Sequence, residues 1–522
     1  MSLYRNKYNE EDLMRNIKKI LLIHPTLTVD KIRLSDVWSF PLGLLYIASV
    51  LVKNGYEVEI LDCIAEDTYN VERIDSNWFR FGLAEKNIIK RIETFKPDLV
   101  GVSIPFSCQY ADALRIGSII KALNSQIITV AGGVHVTVMP ESISSDYFDY
   151  CIIGEGEFGL LNLVNSINHG SPENIAGVVT KDDMRSGNNS ISAPFIEPLD
   201  ILPYPQYNLL PLERYWSLGA RWRWVHMIAS RGCSFDCNFC SVHSVMGRKL
   251  RLRSVDNIIG EIELLKRRFD VNEIRFEDDG LTDNMEWAKE LFRKIASGNF
   301  GMRFCVRNGI RADTVDKEML LLMKKAGFET VVFSPESGSQ RTLDNIIQKR
   351  VKLETIESSI IMAKETGLSV HCFLIIGFPE ETKEDIAKTI KYGYKLQKLG
   401  VDSIWVSCAT PYPKTRLFEE CVRKRIIDKN NIDFRRLSTL DPVIYNDSFS
   451  AEEVKKIRVD AMRVFYKQPK AAALTQNIIS ACKCLCTNPK LVIEKIKHKA
   501  IFMIKKYIWR IDCRCKQGIS GI

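Results

Sequence analysis

The sequence predicts an α/β protein in three parts: an N-terminal doubly wound parallel sheet, a partial barrel of six β/α repeats, and a mostly helical C-terminal segment. Three observations carry that prediction. Short apolar runs alternate with helix-like stretches over the first 170 residues, a proline-rich stretch interrupts them, and a strictly repeating strand and helix pattern then runs for six units. Length agrees, since 522 residues suit two or three domains and an apolar content of 46% suffices for packed cores.

In the first part, 19–23 reads as a buried strand, 42–53 as a helix stopped by Gly55, and 58–62 as a second strand. A helix over 84–95 leads through Lys96-Pro97-Asp98 into a strand at 99–103. A helix near 112–123 precedes a strand at 127–131 that ends in Gly132-Gly133, and a last strand at 150–153 ends in Gly154-Glu155-Gly156-Glu157. Five apolar strands alternating with helices define a Rossmann-like domain over 1–170. Ligands of such sheets bind beyond the carboxyl ends of the strands, where glycine lets the backbone approach closely, and both glycine pairs lie at such ends. Gly-Gly after a strand also makes an ordinary turn, and His135 also serves to satisfy local backbone.

Residues 171–224 change character, with Pro172, Pro194, Pro198, Pro203, Pro205 and Pro211, and read as a linker holding at most a short hairpin. Trp216, Trp222 and Trp224 read as packing between domains. Strands then follow at 226–230, 273–277, 302–306, 328–334, 369–376 and 401–408, separated by helices at 254–269, 284–297, 315–326, 353–366 and 382–398. Six repeats are fewer than the eight of a closed barrel, so a TIM-like barrel over 225–425 is expected to stay open, with active residues at the strand carboxyl ends. Residues 426–522 read as helical. There Val492, Ile496, Ala500, Met503, Tyr507 and Ile511 alternate with basic residues, which makes a basic amphipathic helix.

The formal net charge of +9 is concentrated in that segment, where ten Lys and Arg from Lys483 to Lys516 face only Glu494 and Asp512. Such a helix either docks on the core or lies on an anionic membrane surface, and peripheral membrane contact would suit a lipid-like substrate. With the charge in one segment and no separate RNA-binding module, nucleic acid is not an expected partner. The N-terminus lacks an apolar signal region and no apolar run is long enough to span a bilayer, so a cytoplasmic location is expected.

Fifteen cysteines make an odd count, and Cys151, Cys305, Cys372 and Cys408 sit singly in apolar strands as core residues. Cys482-x-Cys484-x-Cys486 and Cys513-x-Cys515 have separations uncommon among cluster ligands and read as incidental. Arg231-Gly232-Cys233-Ser234-Phe235-Asp236-Cys237-Asn238-Phe239-Cys240 is different, because three thiols lie three and then two residues apart on one short loop. Thiolates suit zinc or an iron–sulfur cluster, and three of them leave one coordination position open unless His243 closes a zinc site.

This C-x-x-x-C-x-x-C loop, set after a strand and with an aromatic before its last cysteine, resembles the cluster loop of the radical S-adenosylmethionine (SAM) superfamily. The resemblance implies that Cys233, Cys237 and Cys240 hold a [4Fe-4S] cluster whose fourth iron takes the amino and carboxylate groups of SAM, which an electron from an external donor then cleaves. Within Glu277-Asp278-Asp279, Asp279 falls where the superfamily's Gly-Gly-Glu motif contacts the SAM amino group. Glu336 and Ser337 resemble the polar pair facing the SAM methionine and ribose. Gly377 and Glu380 match the latter part of G-x-I-x-G-x-x-E, with Phe373 in place of its first glycine. Arg307 and Arg311 either neutralise the SAM carboxylate or pair with nearby acids.

Gly132-Gly133-Val134-His135-Val136-Thr137, followed by Pro140-Glu141 and Gly154-Glu155-Gly156-Glu157, resembles the cobalamin-binding domain that precedes many radical SAM cores. Ser103, Gly132 and Gly133 match positions around the nucleotide tail. The D-x-H-x-x-G signature is absent, with His24-Pro25-Thr26 in its place, so His24 is not assigned to cobalt. What the resemblance implies is an enzyme in which a deoxyadenosyl radical takes hydrogen from an unactivated carbon of a small-molecule substrate and methylcobalamin supplies a methyl group. The alternatives are an oxidation or ring closure of the kind run by the anaerobic magnesium-porphyrin cyclase, and a zinc-stabilised binding protein without redox chemistry.

Overall fold

In the computed structural model the described residues are 16–30, 40–68, 70–170, 174–186, 192–215 and 223–466. The N-terminal sheet holds β1 (Lys19–His24), β2 (Glu57–Asp62), β3 (Leu99–Ser103), β4 (Ile128–Gly132), β5 (Tyr150–Ile152) and β6 (Val178–Thr180) in the order 2-1-3-4-5-6. The first five strands are parallel and β6 is an antiparallel edge. β6 falls inside the expected linker, where three residues were too few to show a period. A second antiparallel sheet (Leu27–Asp30, Val71–Arg73, Trp78–Phe81) was also illegible in the sequence, for the same reason.

Helices α1 (Leu42–Lys53) and α4 (Gly156–Asn168) cover one face of the sheet, α2 (Glu85–Phe95) and α3 (Tyr110–Leu123) the other. The α1/α4 face belongs to a continuous apolar core that runs through Leu199, Leu202, Tyr207, Leu212 and Tyr215 into the barrel. The connector is therefore packed rather than a spacer, with short 3-10 turns at Leu199–Ile201, Tyr207–Leu209 and Leu212–Arg214 carrying its buried side chains. Trp224 is buried among Phe40, Tyr215 and His226, with the Arg275 guanidinium 4.0 Å from its ring centre.

The barrel comprises β7 (Trp224–Met227), β8 (Glu273–Phe276), β9 (Arg303–Val306), β10 (Thr330–Glu336), β11 (Ser369–Ile376) and β12 (Ser403–Cys408). All neighbours are parallel, in two three-stranded arcs. Single bridges, Phe304 to Phe328 and Ile310 to Phe333, join the arcs, and the rings of Phe276, Phe304 and Phe328 fill the seam. Six strands leave the barrel open, as expected.

Helices α5 (Val255–Phe269), α6 (Met285–Gly298), α7 (Lys317–Ala326), α8 (Leu353–Glu365) and α9 (Lys383–Lys398) form its outer layer. After the barrel, α10 (Ala451–Phe465) starts from a Ser450/Glu453 capping box and packs on β12. Among the described residues no helix is long and apolar enough to cross a membrane. The basic sequence 492–511, the five cysteines from Cys482 to Cys515, Trp216 and Trp222 lie outside the described residues.

Trp224→Ala removes the largest fully buried side chain between the connector and the barrel, and is expected to cost about 3–5 kcal/mol of unfolding free energy, read from urea midpoints.

Candidate active site

Parallel strands end on one side, and here the two sets of carboxyl ends face each other. A cavity of about 650 Å³ lies between them. The sheet contributes His24, Ser103, Gly132, Gly133 and Gly154, and the barrel contributes His226, Glu277, Arg307 and Asn308. On the sheet side the cavity opens where the 2-1-3 order reverses between β1 and β3, the switch point at which such folds bind ligands.

Gly133 has a φ of +103°, and a Cβ there would lie 2.9 Å from the Ile104 carbonyl oxygen, so the position admits no side chain. Gly132 has room for a Cβ, and its smallness serves the cavity rather than the backbone. His135 is a satisfied core histidine, between the hydroxyls of Ser107 and Ser142 at 3.0 Å each, and burial pushes it down to about 4. His24 is buried with Nδ1 3.1 Å from Asp62 Oδ1, while Nε2 has no partner. A glycine-lined cavity at a switch point fits a large ligand with a nucleotide tail such as cobalamin.

The three thiols are partly buried on the loop between Ser230–Arg231 and Arg251–Leu252, which pair antiparallel. Gly232 makes the entry turn, its φ of +86° and a Lys249 carbonyl 2.4 Å from where a Cβ would stand excluding any other residue. The Asn238 backbone amide donates to the Ile347 carbonyl, and Arg311 stacks 3.6 Å from the Phe235 ring centre. Burial pushes the free thiols of Cys233 and Cys240 up to about 12, so a bound metal would have to draw off their protons. His243 is turned to the Cys233 carbonyl (3.0 Å) and Asp236 (3.4 Å), which takes away the fourth zinc ligand the sequence left open. Three thiols without a fourth ligand fit a cluster with one open iron.

The acidic trio splits. Asp278 is buried and accepts from the Ala229 amide (3.0 Å) and the Ser230 hydroxyl (2.6 Å), pinning the loop's first strand to β8. Glu277 faces the cavity beside His226 (3.1 Å) and Arg307 (3.6 Å), and burial raises it to about 7. Asp279 acts electrostatically on Cys240, and burial, then Asp278, Glu277 and Asp283, push it to about 7. No cation is among the groups acting on Asp279.

Glu336 ends β10 in a left-handed conformation (φ +65°) and pairs with buried Lys349 at 2.8 Å. The Ser337 hydroxyl is spent on Thr389 (2.8 Å), which makes it a builder of the turn. Gly377 sits at φ +90° with its amide donating to Glu381 (2.7 Å). Glu381 is buried and closes this turn, whereas Glu380 reaches outward to Lys424 (3.2 Å). Arg311 pairs with Asp313 near the cysteine loop, while Arg307 faces the cavity. Sequence reading missed Lys349 and Glu381, and adjacent glutamates differ only in the direction the turn gives them.

Residues 154–157 also meet the cysteine loop. Arg231 donates to Glu155 (2.9 Å) and Glu157 (2.5 Å), and Arg251 donates to Glu155 (2.8 Å), all buried. Burial alone would raise Glu155, yet Arg251 and Arg231 hold it below the usual carboxylate range.

Residues 227–393 match the radical SAM superfamily and residues 38–164 match the B12 binding domain. The chain is 33% identical to an uncharacterized methyltransferase of Pyrococcus horikoshii over 88% of this chain and 94% of that protein. It is 30% identical to the cytidylyl-2-hydroxyethylphosphonate methyltransferase of Streptomyces wedmorensis over 86% of this chain and 90% of that protein. Its fold is similar to that of the radical SAM methyltransferase TsrM from Kitasatospora setae, solved with cobalamin and a [4Fe-4S] cluster bound, at a TM-score of 0.62, 18% identity and 78% coverage of both chains.

Asp279 titrates near 7 folded against an ordinary 3.8, so it contributes stability that is present at low pH and lost as pH rises through about 7. In the cofactor-free protein, the stability of wild type relative to D279N is expected to fall between about pH 4 and about pH 7 in urea titrations and to level off above that. A pH-independent difference would show that burial does not hold this carboxyl protonated.

Proposed function

We propose the reaction of a chain that belongs to the radical SAM enzymes carrying a B12-binding domain: methylation of an unactivated carbon in a small-molecule substrate held in the cavity between the sheet and the barrel. The observation that carries the reading is that one cavity is walled by both the glycine-rich strand ends of the sheet and the strand ends of the barrel beside the cysteine loop. Both curated relatives named above are methyltransferases, which favours methylation over oxidative ring closure.

When bound, the cluster supplies the electron that cleaves SAM, and cobalamin supplies the methyl group. The chain's residues hold and aim. Cys233, Cys237 and Cys240 would hold three irons, leaving the fourth for SAM. Asp279 would accept from the SAM ammonium, which returns a carboxyl raised by burial to its charged form. Glu336, fixed by Lys349, and the Gly377 turn, closed by Glu381, would border the rest of SAM, with Ser337 bracing the turn and Glu380 paired with Lys424. Ser103, Gly132 and Gly133 would flank the cobalamin tail.

The test is anaerobic turnover with methyl-labelled SAM, a reductant and a deproteinised extract of small metabolites. Methylation predicts S-adenosylhomocysteine and 5′-deoxyadenosine in comparable amounts, with label in a small molecule. Deoxyadenosine alone would favour the oxidative reading. D279N is expected to weaken SAM binding by roughly 10–100-fold, since a charge-assisted hydrogen bond carries about 1.5–3 kcal/mol. Gly133→Ala is expected to abolish corrinoid retention while leaving cluster iron unchanged, read by absorption of the purified protein. A finer reading, a lipid-like substrate met at an anionic membrane surface, is motivated by the spacing of 492–511; liposome flotation unchanged by deletion of 489–522 would remove it.

A further inference from the structure

Glu155, Glu157 and Arg231 border the cavity but are given no cofactor to hold in the reading above, and the fold brings them together in a buried ionic cluster. Arg231 enters the cysteine loop and Arg251 leaves it, and the two residues face each other across its antiparallel base. Glu155 accepts from both, Oε1 from Arg231 (2.9 Å) and Oε2 from Arg251 (2.8 Å). Glu157, at the first turn of α4, takes the second arm of Arg231 at 2.5 Å. The four side chains are 4–8% exposed.

Further bonds extend the cluster into both halves. The Arg231 guanidinium lies 5.2 Å from the Tyr46 ring centre, on α1 of the sheet domain. Arg251 also donates to the Ile196 carbonyl and to the Met246 carbonyl within the cysteine loop, and the Ile196 amide donates back to Glu155. Both feet of the cysteine loop are thus fastened to one turn of the sheet, the turn between β5 and α4 whose Gly154 and Gly156 line the cavity. Arg231 spreads its two arms over two carboxylates and Glu155 its two oxygens over two guanidiniums, which fixes orientation as well as separation, as a single point charge does not. Buried charge is costly, and apolar contact would join two domains at less cost, so direction is what this arrangement supplies.

We infer that Arg231, Arg251, Glu155 and Glu157 are positioning residues that set the cysteine loop, and so its cluster, in fixed register with the cobalamin cavity. The inference rests on the two-cofactor reading, because register matters only if both cofactors serve one substrate. A misplacement of about 1 Å in such a site costs on the order of a hundredfold in rate.

The experiment uses the full chain, reconstituted anaerobically, as wild type and as E155Q/E157Q. Two readouts are taken beside urea midpoints: hydrogen exchange at 154–160 and 230–252, and the pulsed-EPR distance distribution between the reduced cluster and cob(II)alamin. In the double variant we expect exchange in both segments to rise roughly tenfold while the core strands stay protected. We also expect the distance distribution to become roughly twice as wide with cluster and corrinoid content retained. An unchanged distribution, even alongside a lowered urea midpoint, would reduce the cluster of charges to a structural role and overturn the inference. Should the double variant not fold, R231K keeps the charge but lacks the fork, and is read by the same criteria. Wild type that retains no cluster or corrinoid would sink the two-cofactor reading itself, a result distinct from failure of the variants to differ.

Discussion

Two sets of parallel strands, one open sheet and one open barrel, point their carboxyl ends at each other, and the rest of the structure follows from keeping that opposition. Parallel strands need crossover helices, the helices occupy the outer faces, and the strand ends are left as the sites where loops can carry chemistry. A continuous apolar core through the connector holds the halves together. Apolar contact alone leaves register loosely set, and the four-membered ionic cluster at the base of the cysteine loop supplies what packing does not.

The chemistry of the barrel end depends on how three adjacent carboxyls are divided. The trio lies just beyond the end of β8, where the chain bends, so Glu277 faces the cavity, Asp278 is bound to the backbone of the preceding strand, and Asp279 acts on Cys240. Burial then raises all three, to about 7, 6 and 7, and neighbouring carboxylates add to the rise at Glu277 and Asp279. Asp278 has its hydrogen bonds filled. Asp279 has no cationic partner among the groups acting on it, and an ammonium group would relieve its burial and repulsion together.

Much of this was legible in sequence because it rests on period and spacing. The barrel strands and their helices stand within a few residues of where apolar alternation set them, and the cysteine spacing led to the loop. What was illegible is short or depends on direction. β6 and the strands near 71–81 are three or four residues long, too few to show a period. Glu380 and Glu381 are neighbours, and only the left-handed turn at Gly377 decides that Glu381 points inward. Arg231 could have been suspected, since an arginine directly before a cluster loop calls for a buried partner, but its partners lie more than seventy residues away in another domain.

The proposed chemistry needs one chain to carry an iron–sulfur cluster with an open iron and a corrinoid at the same time. Elemental and sulfide analysis of the full chain, purified without oxygen from cells supplied with cobalamin, addresses this most directly. That chemistry predicts about one [4Fe-4S] cluster and about one corrinoid per chain, with replacement of Cys237 by alanine removing the iron and leaving the cobalt. Zinc in place of iron, with no acid-labile sulfide, would contradict it.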